Sequence, residues 1–303
     1  MATQQPQTPA ADTSTLSRDA LMAVYDALAE HFAHEPHWWP LFSDTPEFEV
    51  LVGAVLVQQT RWEAVEGSVR RLIDRGLLSP ASIAGADTAE LAALLRPCAF
   101  YNQKAPGLQA ICRYLLEHYG GDLAAMMAKD RAAVRAELLA LPRIGPETAD
   151  AIMLYAGGHP VFVVDAYTRR LFGRLGLAPG FDFARARYEA VQELVERALT
   201  HCDCAAQAGD CRAAPDNAPC GLRAALGRQG HLDGTLRHLL WDLHALITEI
   251  CIHHCLATRP RQDQTGALRN FLDPRKCAEH CRPCTGCPLR NQCATYRASA
   301  PTG

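Results

Sequence analysis

The chain has 303 residues, 49% of them hydrophobic, and a formal net charge of −3 at neutral pH. That is enough apolar material to pack one or two domains, which excludes a disordered or fibrous chain. It also excludes a protein that holds a polyanion by overall charge, so any such grip must come from a local patch. Residues 1–17 are rich in Ala, Thr, Gln, Pro and Ser and carry no apolar segment; the expectation is a disordered tail rather than a signal peptide. No apolar run is long enough to span a bilayer, so the chain is expected to be a soluble, cytoplasmic monomer without membrane contacts.

The first strong helical pattern is PEFEVLVGAVLVQQ, residues 46–59. Phe48, Leu51, Val52, Val55 and Leu56 fall at helical spacing, with Thr45 in the cap position and Pro46 at the first helical residue. Thr60 and Glu63 form a capping-box pattern for the following helix, and Asp87 with Glu90 an aspartate variant of it. Helix starts therefore recur without intervening strand patterns. The only β-like run is Val161 to Val164, too short for more than an extended segment. An all-α fold is expected.

Residues 141–168, LPRIGPETADAIMLYAGGHPVFVVDAYT, are the most informative segment. In Leu141-Pro142-Arg143-Ile144-Gly145 the glycine allows a tight turn, and Pro146 suits the first position of a helix because it has no N–H to leave unpaired. The unpaired N–H groups of that helix start, at the positive end of its dipole, can bind a phosphate oxygen without a basic side chain. Arg143, Arg169, Arg170 and Arg174 are the nearest basic side chains. Asp165 precedes a helical pattern through Leu171, Phe172 and Leu175 and suits an N-cap accepting from Thr168. A helix N-terminus favours its ionised form.

Thirteen cysteines are hard to explain as disulfides in a reducing compartment, and metal binding is the better account. In CAEHCRPCTGCPLRNQC, Cys277, Cys284, Cys287 and Cys293 are separated by six, two and five residues. Four thiolates on one loop can surround an iron–sulfur cubane; zinc is the alternative. Cys281 is a spare thiol in that loop. Cys202, Cys204, Cys211 and Cys220 lie in a segment, about 201–234, that reads as an insertion with free thiols or a second metal site. Cys251 and Cys255 share a helical face, as a ligand pair or as core.

The hairpin, Asp165 and the cysteine loop together resemble the helix-hairpin-helix DNA glycosylases of the endonuclease III superfamily, over residues 37 to 296. The resemblance implies a six-helix barrel at 48–160 and an iron–sulfur domain from 18–47 and 161–303. It implies a [4Fe-4S] cluster on the four spaced cysteines, a partner of double-stranded DNA containing damaged bases, and a place near the nucleoid in a bacterial cell. Arg143, Ile144 and Gly145 would hold the DNA backbone, Gln59 would fill the gap of an extruded base or contact a strand unless it is only a polar residue at its helix's end, and Asp165 would be the catalytic carboxylate. Bifunctional members carry a hairpin lysine where this chain has Glu147. A Schiff base needs an amine, so a monofunctional glycosylase is expected, with Lys104 as the one stray amine. Glu147 either points a second carboxylate into the cleft or supports its helix's first turn.

Trp38, Trp39 and Trp62, with the loop Phe100-Tyr101-Asn102-Gln103-Lys104, resemble the pocket of the 3-methyladenine glycosylases of that superfamily. Electron-rich rings attract a cationic base face. Adenine glycosylases carry a glutamate before a Gln-Gln-Thr triplet; here Gln58-Gln59-Thr60 is present, but Ala54 stands at that position. An alkylated purine such as 3-methyladenine already carries positive charge and leaves without a general acid, so it is the expected substrate. The alternatives are an endonuclease III-like glycosylase and lyase for oxidised pyrimidines, and a non-catalytic DNA-binding protein.

Overall fold

The computed structural model describes residues 15–32, 39–200, 236–257, 261–262, 268–269, 284 and 286–298. The tail up to residue 14, Trp38, the 201–234 segment, Cys277 and Cys281 lie outside the described residues. In chain order the helices are α1 (Arg18–His31), α2 (Pro46–Leu56), α3 (Trp62–Asp74), α4 (Pro80–Gly85), α5 (Thr88–Leu94), α6 (Tyr101–Tyr119), α7 (Leu123–Met127), α8 (Arg131–Ala140), α9 (Pro146–Tyr155), α10 (Ala166–Leu175), α11 (Tyr188–Thr200), α12 (Leu236–His253) and α13 (Ala294–Arg297). Among the described residues the only strand pairing is a two-residue antiparallel contact of β1 (Arg261–Gln262) with β2 (Leu268–Arg269). The all-α expectation holds.

The chain divides into two compact units. One comprises His34–Asp165 and Cys202–Ala245, the other Met1–Ala33, Ala166–His201 and Leu246–Gly303. In the first, α2 is apolar around its circumference, and every residue from Phe48 to Leu56 is buried, as a helix enclosed on all sides requires. It packs against α3, α6, α7 and α9. Ser79, Asp87, Asp122 and Asp130 each accept a first-turn N–H at the start of α4, α5, α7 and α8. Such caps are worth about 1 kcal/mol each. Arg135 of α8 donates to Asp150 of α9 at 2.8 Å, with Asp150 wholly buried, which ties together the two helices flanking the hairpin.

Two local expectations change. The 46–59 helix ends at Leu56, and Thr45 occupies its N-cap without a side-chain hydrogen bond. Thr60 does not form a capping box with Glu63, since the cap residue of α3 is Arg61. Its hydroxyl instead donates to Gln58 O and accepts from Ala99 N–H and Lys104 Nζ, because a buried ammonium competes for it. Val161–Val164 is buried and extended with no sheet partner among the described residues.

In the second unit, α1 packs on α11 and α10 on α13. The arginines of α10 are structural ties. Arg169 donates to Phe183 O and Ala186 O, Arg170 to Cys255 O, and Arg174 to Leu256 O. They hold loop carbonyls rather than standing out as a basic face. No helix among the described residues is long and apolar enough to cross a membrane.

Candidate active site

The site of the first unit is built from four segments. The hairpin Leu141–Gly145 joins α8 to α9, and its left-handed residue is Arg143 (φ 66°), not Gly145, which is extended (φ −96°, ψ 179°). The turn therefore does not need a glycine at 145. A Cβ there would meet nothing within 4 Å, and no side chain caps α9. The bare backbone beside uncapped N–H groups is open for a close-approaching oxyanion. Glycine is instead required beneath the hairpin, at Gly107 of α6, where a Cβ would lie 2.6 Å from Arg143 Cγ.

Hydrogen bonds lock the hairpin to two other turns. Gln58 Nε2 donates to Arg143 O at 2.8 Å and Thr148 Oγ1 at 2.9 Å, and Arg143 donates to Gln103 Oε1 at 3.0 Å. Lys104 is wholly buried and donates to Leu56 O, Gln58 O and Thr60 Oγ1 at 2.7 to 3.1 Å. Burial, opposed by the nearby Cys98 thiol and aided by Arg143, brings its pKa down to about 8. Gln59, Phe100 and Arg143 are the only described non-glycine residues with positive φ, and each sits in this network. Gln59 and Phe100 are exposed.

An aromatic row runs through the same unit. Trp62 meets Trp39 edge-on, with centroids 5.5 Å apart; Trp39 lies 5.1 Å from Tyr155, and Tyr155 lies 5.1 Å from Trp241 of α12. Gly53 of α2 admits the Trp39 ring, since a Cβ there would come within 3.1 Å of it. The loop before α2 is fixed by buried Glu49, which accepts from Phe42 N–H, Ser43 N–H and Ser43 Oγ. Trp62 Nε1 is shielded from solvent with no acceptor among the described residues. Glu147 is exposed in the first turn of α9, and Ala54 is buried.

Asp165 ends the extended segment, is 8% exposed, and immediately precedes α10. Its Oδ2 lies 3.8 Å from His244 Nε2, and His244 Nδ1 lies 2.6 Å from Tyr155 Oη. The aromatic row thus ends on a polar chain that reaches the carboxylate. Tyr155 and His244 were not expected from sequence; a lone histidine and a terminal tyrosine on apolar helix faces read as core.

The second unit holds a small, partly open cavity lined by Cys255, Cys284, Cys287 and Cys293, with Arg174 and His254 among its other walls. Cys293 Sγ lies 3.4 Å from Arg174 O, and Arg174 donates to Cys255 Sγ at 3.3 Å. Cys251 and Cys255 have separate roles: Cys251 is buried against Tyr167 O, while Cys255 follows the end of α12 and faces the cavity. Among the described residues no three His, Cys, Asp or Glu groups converge on a point as one zinc ion requires. A cubane is wider than an ion and takes one thiolate on each iron; Cys284, Cys287 and Cys293 of the sequence-expected set line this cavity, and Cys277 lies outside the described residues.

The family model for the HhH-GPD superfamily of base excision DNA repair proteins matches residues 52–197. A Methanocaldococcus jannaschii protein that carries the name of a DNA repair glycosylase is 38% identical over 182 residues, covering 60% of this chain and 79% of its own. The fold matches a 3-methyladenine DNA glycosylase of H. pylori bound to 1,N6-ethenoadenine, with TM-score 0.59, 27% identity, and coverage of 77% of this chain and 95% of that one. It also matches a non-covalent endonuclease III–DNA complex, with TM-score 0.62, 19% identity, and coverage of 94% and 98%. With the hairpin and all-helical fold described above, these matches identify the chain as a member of the HhH-GPD superfamily of base excision repair DNA glycosylases.

Proposed function

We propose that the chain is a monofunctional DNA glycosylase that hydrolyses the N-glycosidic bond of alkylated purines in duplex DNA, with 3-methyladenine as its model substrate. The observation that carries this is the aromatic row from Trp62 through Trp39 to Tyr155 ending beside Asp165. Faces of electron-rich rings favour a cationic base, and a carboxylate beside them favours the positive charge that develops on the deoxyribose. The C1′–N bond breaks with its electron pair on the base, which departs neutral. Water adds to C1′, and Asp165 takes its proton before passing it to solvent. No protonated group is needed at the base, in keeping with Ala54.

Among the described residues no amine serves this site. Glu147 occupies the hairpin position, and Lys104 is buried with its protons committed to three acceptors. The likeness to the H. pylori 3-methyladenine DNA glycosylase supports the substrate class. Gly145, Ile144 and Arg143 hold the DNA backbone, and Gln59 on its left-handed turn fills the space of the extruded base. A [4Fe-4S] cluster fits the six-two-five cysteines, of which Cys284, Cys287 and Cys293 line the cavity of the second unit, with Cys277, outside the described residues, as the fourth ligand expected from the sequence. Bound there, it would pin the C-terminal segment as structural metals do.

Asp165→Asn tests the reading. Base release from methylated duplex is expected to fall at least a thousandfold, with affinity for the same DNA kept or raised. Undiminished release would remove Asp165 from the chemistry.

A further inference from the structure

His244 is 7% exposed and Tyr155 likewise. A buried imidazole must place both ring nitrogens, one a donor and one an acceptor when the ring is neutral. Burial lowers the His244 pKa, and the pull of Asp165 only partly offsets it. Burial first, then Asp165 and Asp242, hold the Tyr155 hydroxyl well above its ordinary value. At neutral pH the ring is therefore uncharged and the phenol protonated. Among the described residues, the charged groups acting on this pair are Asp165 from the extended segment and Asp242 from α12 itself.

One proton remains to be assigned between the ring nitrogens. On Nδ1 it would leave the lone pair of Nε2 aimed at the Asp165 carboxylate, which is repulsive. On Nε2 it turns a positive bond end toward Oδ2, and Nδ1 is then free to accept from Tyr155 Oη at 2.6 Å. The chain accordingly runs in one direction, from phenol to ring to carboxylate. At 3.8 Å the last contact is electrostatic rather than a hydrogen bond.

We propose that His244, held in its Nε2–H tautomer by Tyr155, is a positioning residue that orients Asp165 through Oδ2 while leaving its negative charge intact. An imidazolium would pair with the carboxylate and cancel the charge that a cationic sugar needs. A neutral ring steers it without cancelling it. This rests on the reading of Asp165 as the catalytic carboxylate.

The test uses amide isosteres. The glutamine nitrogen falls near the position of Nε2 and the asparagine nitrogen near that of Nδ1. His244→Gln should stay within about threefold of the parent single-turnover rate of base release, while His244→Asn and His244→Leu lose on the order of ten- to a hundredfold, the size that partners orienting a catalytic ligand contribute. Affinity for DNA carrying an abasic site should be unchanged in all three. A His244→Leu protein at the parent rate, or an asparagine variant faster than the glutamine one, overturns the proposal. Nitrogen-15 NMR of the histidine rings reads the tautomer without any substrate. An Nε2–H ring at pH 7 that loses this preference in Tyr155→Phe supports it, and an Nδ1–H or protonated ring sinks it. If the parent protein releases no methylated base, the substrate reading fails while the ring assignment still stands or falls by NMR.

Discussion

At Trp62 a single side chain carries much of the proposed choice of base. Its ring stands edge-on to Trp39 and is only partly buried, whereas Trp39 is 8% exposed. A cation over such a face gains about 0.5–2 kcal/mol. Trp62→Ala is therefore expected to slow excision of a cationic methylated purine by about 2- to 30-fold, measured as single-turnover rate, and to slow an uncharged lesion less. Equal slowing of both would make the ring a wall and not a charge selector. Trp39 and Trp62, proposed for the pocket, stood out in the sequence because tryptophans are rare and lie near the hairpin's partner helices. Tyr155 and His244 did not, since their pairing spans 89 positions and neither has a local signature.

The turns that present Gln59, Phe100 and Arg143 depend on one buried ammonium. α2 ends on carbonyls that no further helical turn satisfies, and Lys104 takes those of Leu56 and Gln58. Replacing it with Met leaves buried acceptors without donors, at about 1–3 kcal/mol for each. Its folded pKa, about 8, lies below the roughly 10.4 of an unfolded lysine. Between those values the unfolded chain holds more protons, so stability should rise with pH from 8 to above 10. Lys104→Met should be less stable at pH 7 and lose that rise, as read by denaturant unfolding at several pH values. A rise that persists in the variant would assign it to another group. The apolar periodicity of Phe48 to Leu56 made α2 legible, but its end was not. Helix termination here is decided by a lysine nearly fifty residues away, whereas Asp87 caps α5 from one position before it and so could be read directly.

Across the molecule, the all-α class and superfamily were legible because the hairpin and the aspartate lie close together in sequence. Of the six-two-five thiols, Cys284, Cys287 and Cys293 line one cavity, and Cys255 joins them from another segment through the fold. Cys293→Ala is expected to lose most of the protein's iron and its visible absorbance, measured on protein purified without oxygen. Iron and absorbance kept in that variant would remove the six-two-five set as the cluster's ligands. The limits read from sequence, 48–160 for the six-helix barrel and 18–47 with 161–303 for the iron–sulfur domain, remain the proposed division for DNA contact.

The most direct test of the whole reading is base release from duplex DNA treated with a methylating agent, with the liberated bases identified and strand breaks scored before and after alkali. Free 3-methyladenine, with breaks appearing only after alkali, is the expected result for an Asp165-dependent glycosylase without an amine nucleophile. No release from that DNA, with excision and direct nicking at oxidised pyrimidines, would contradict it and return the chain to the endonuclease III type of chemistry.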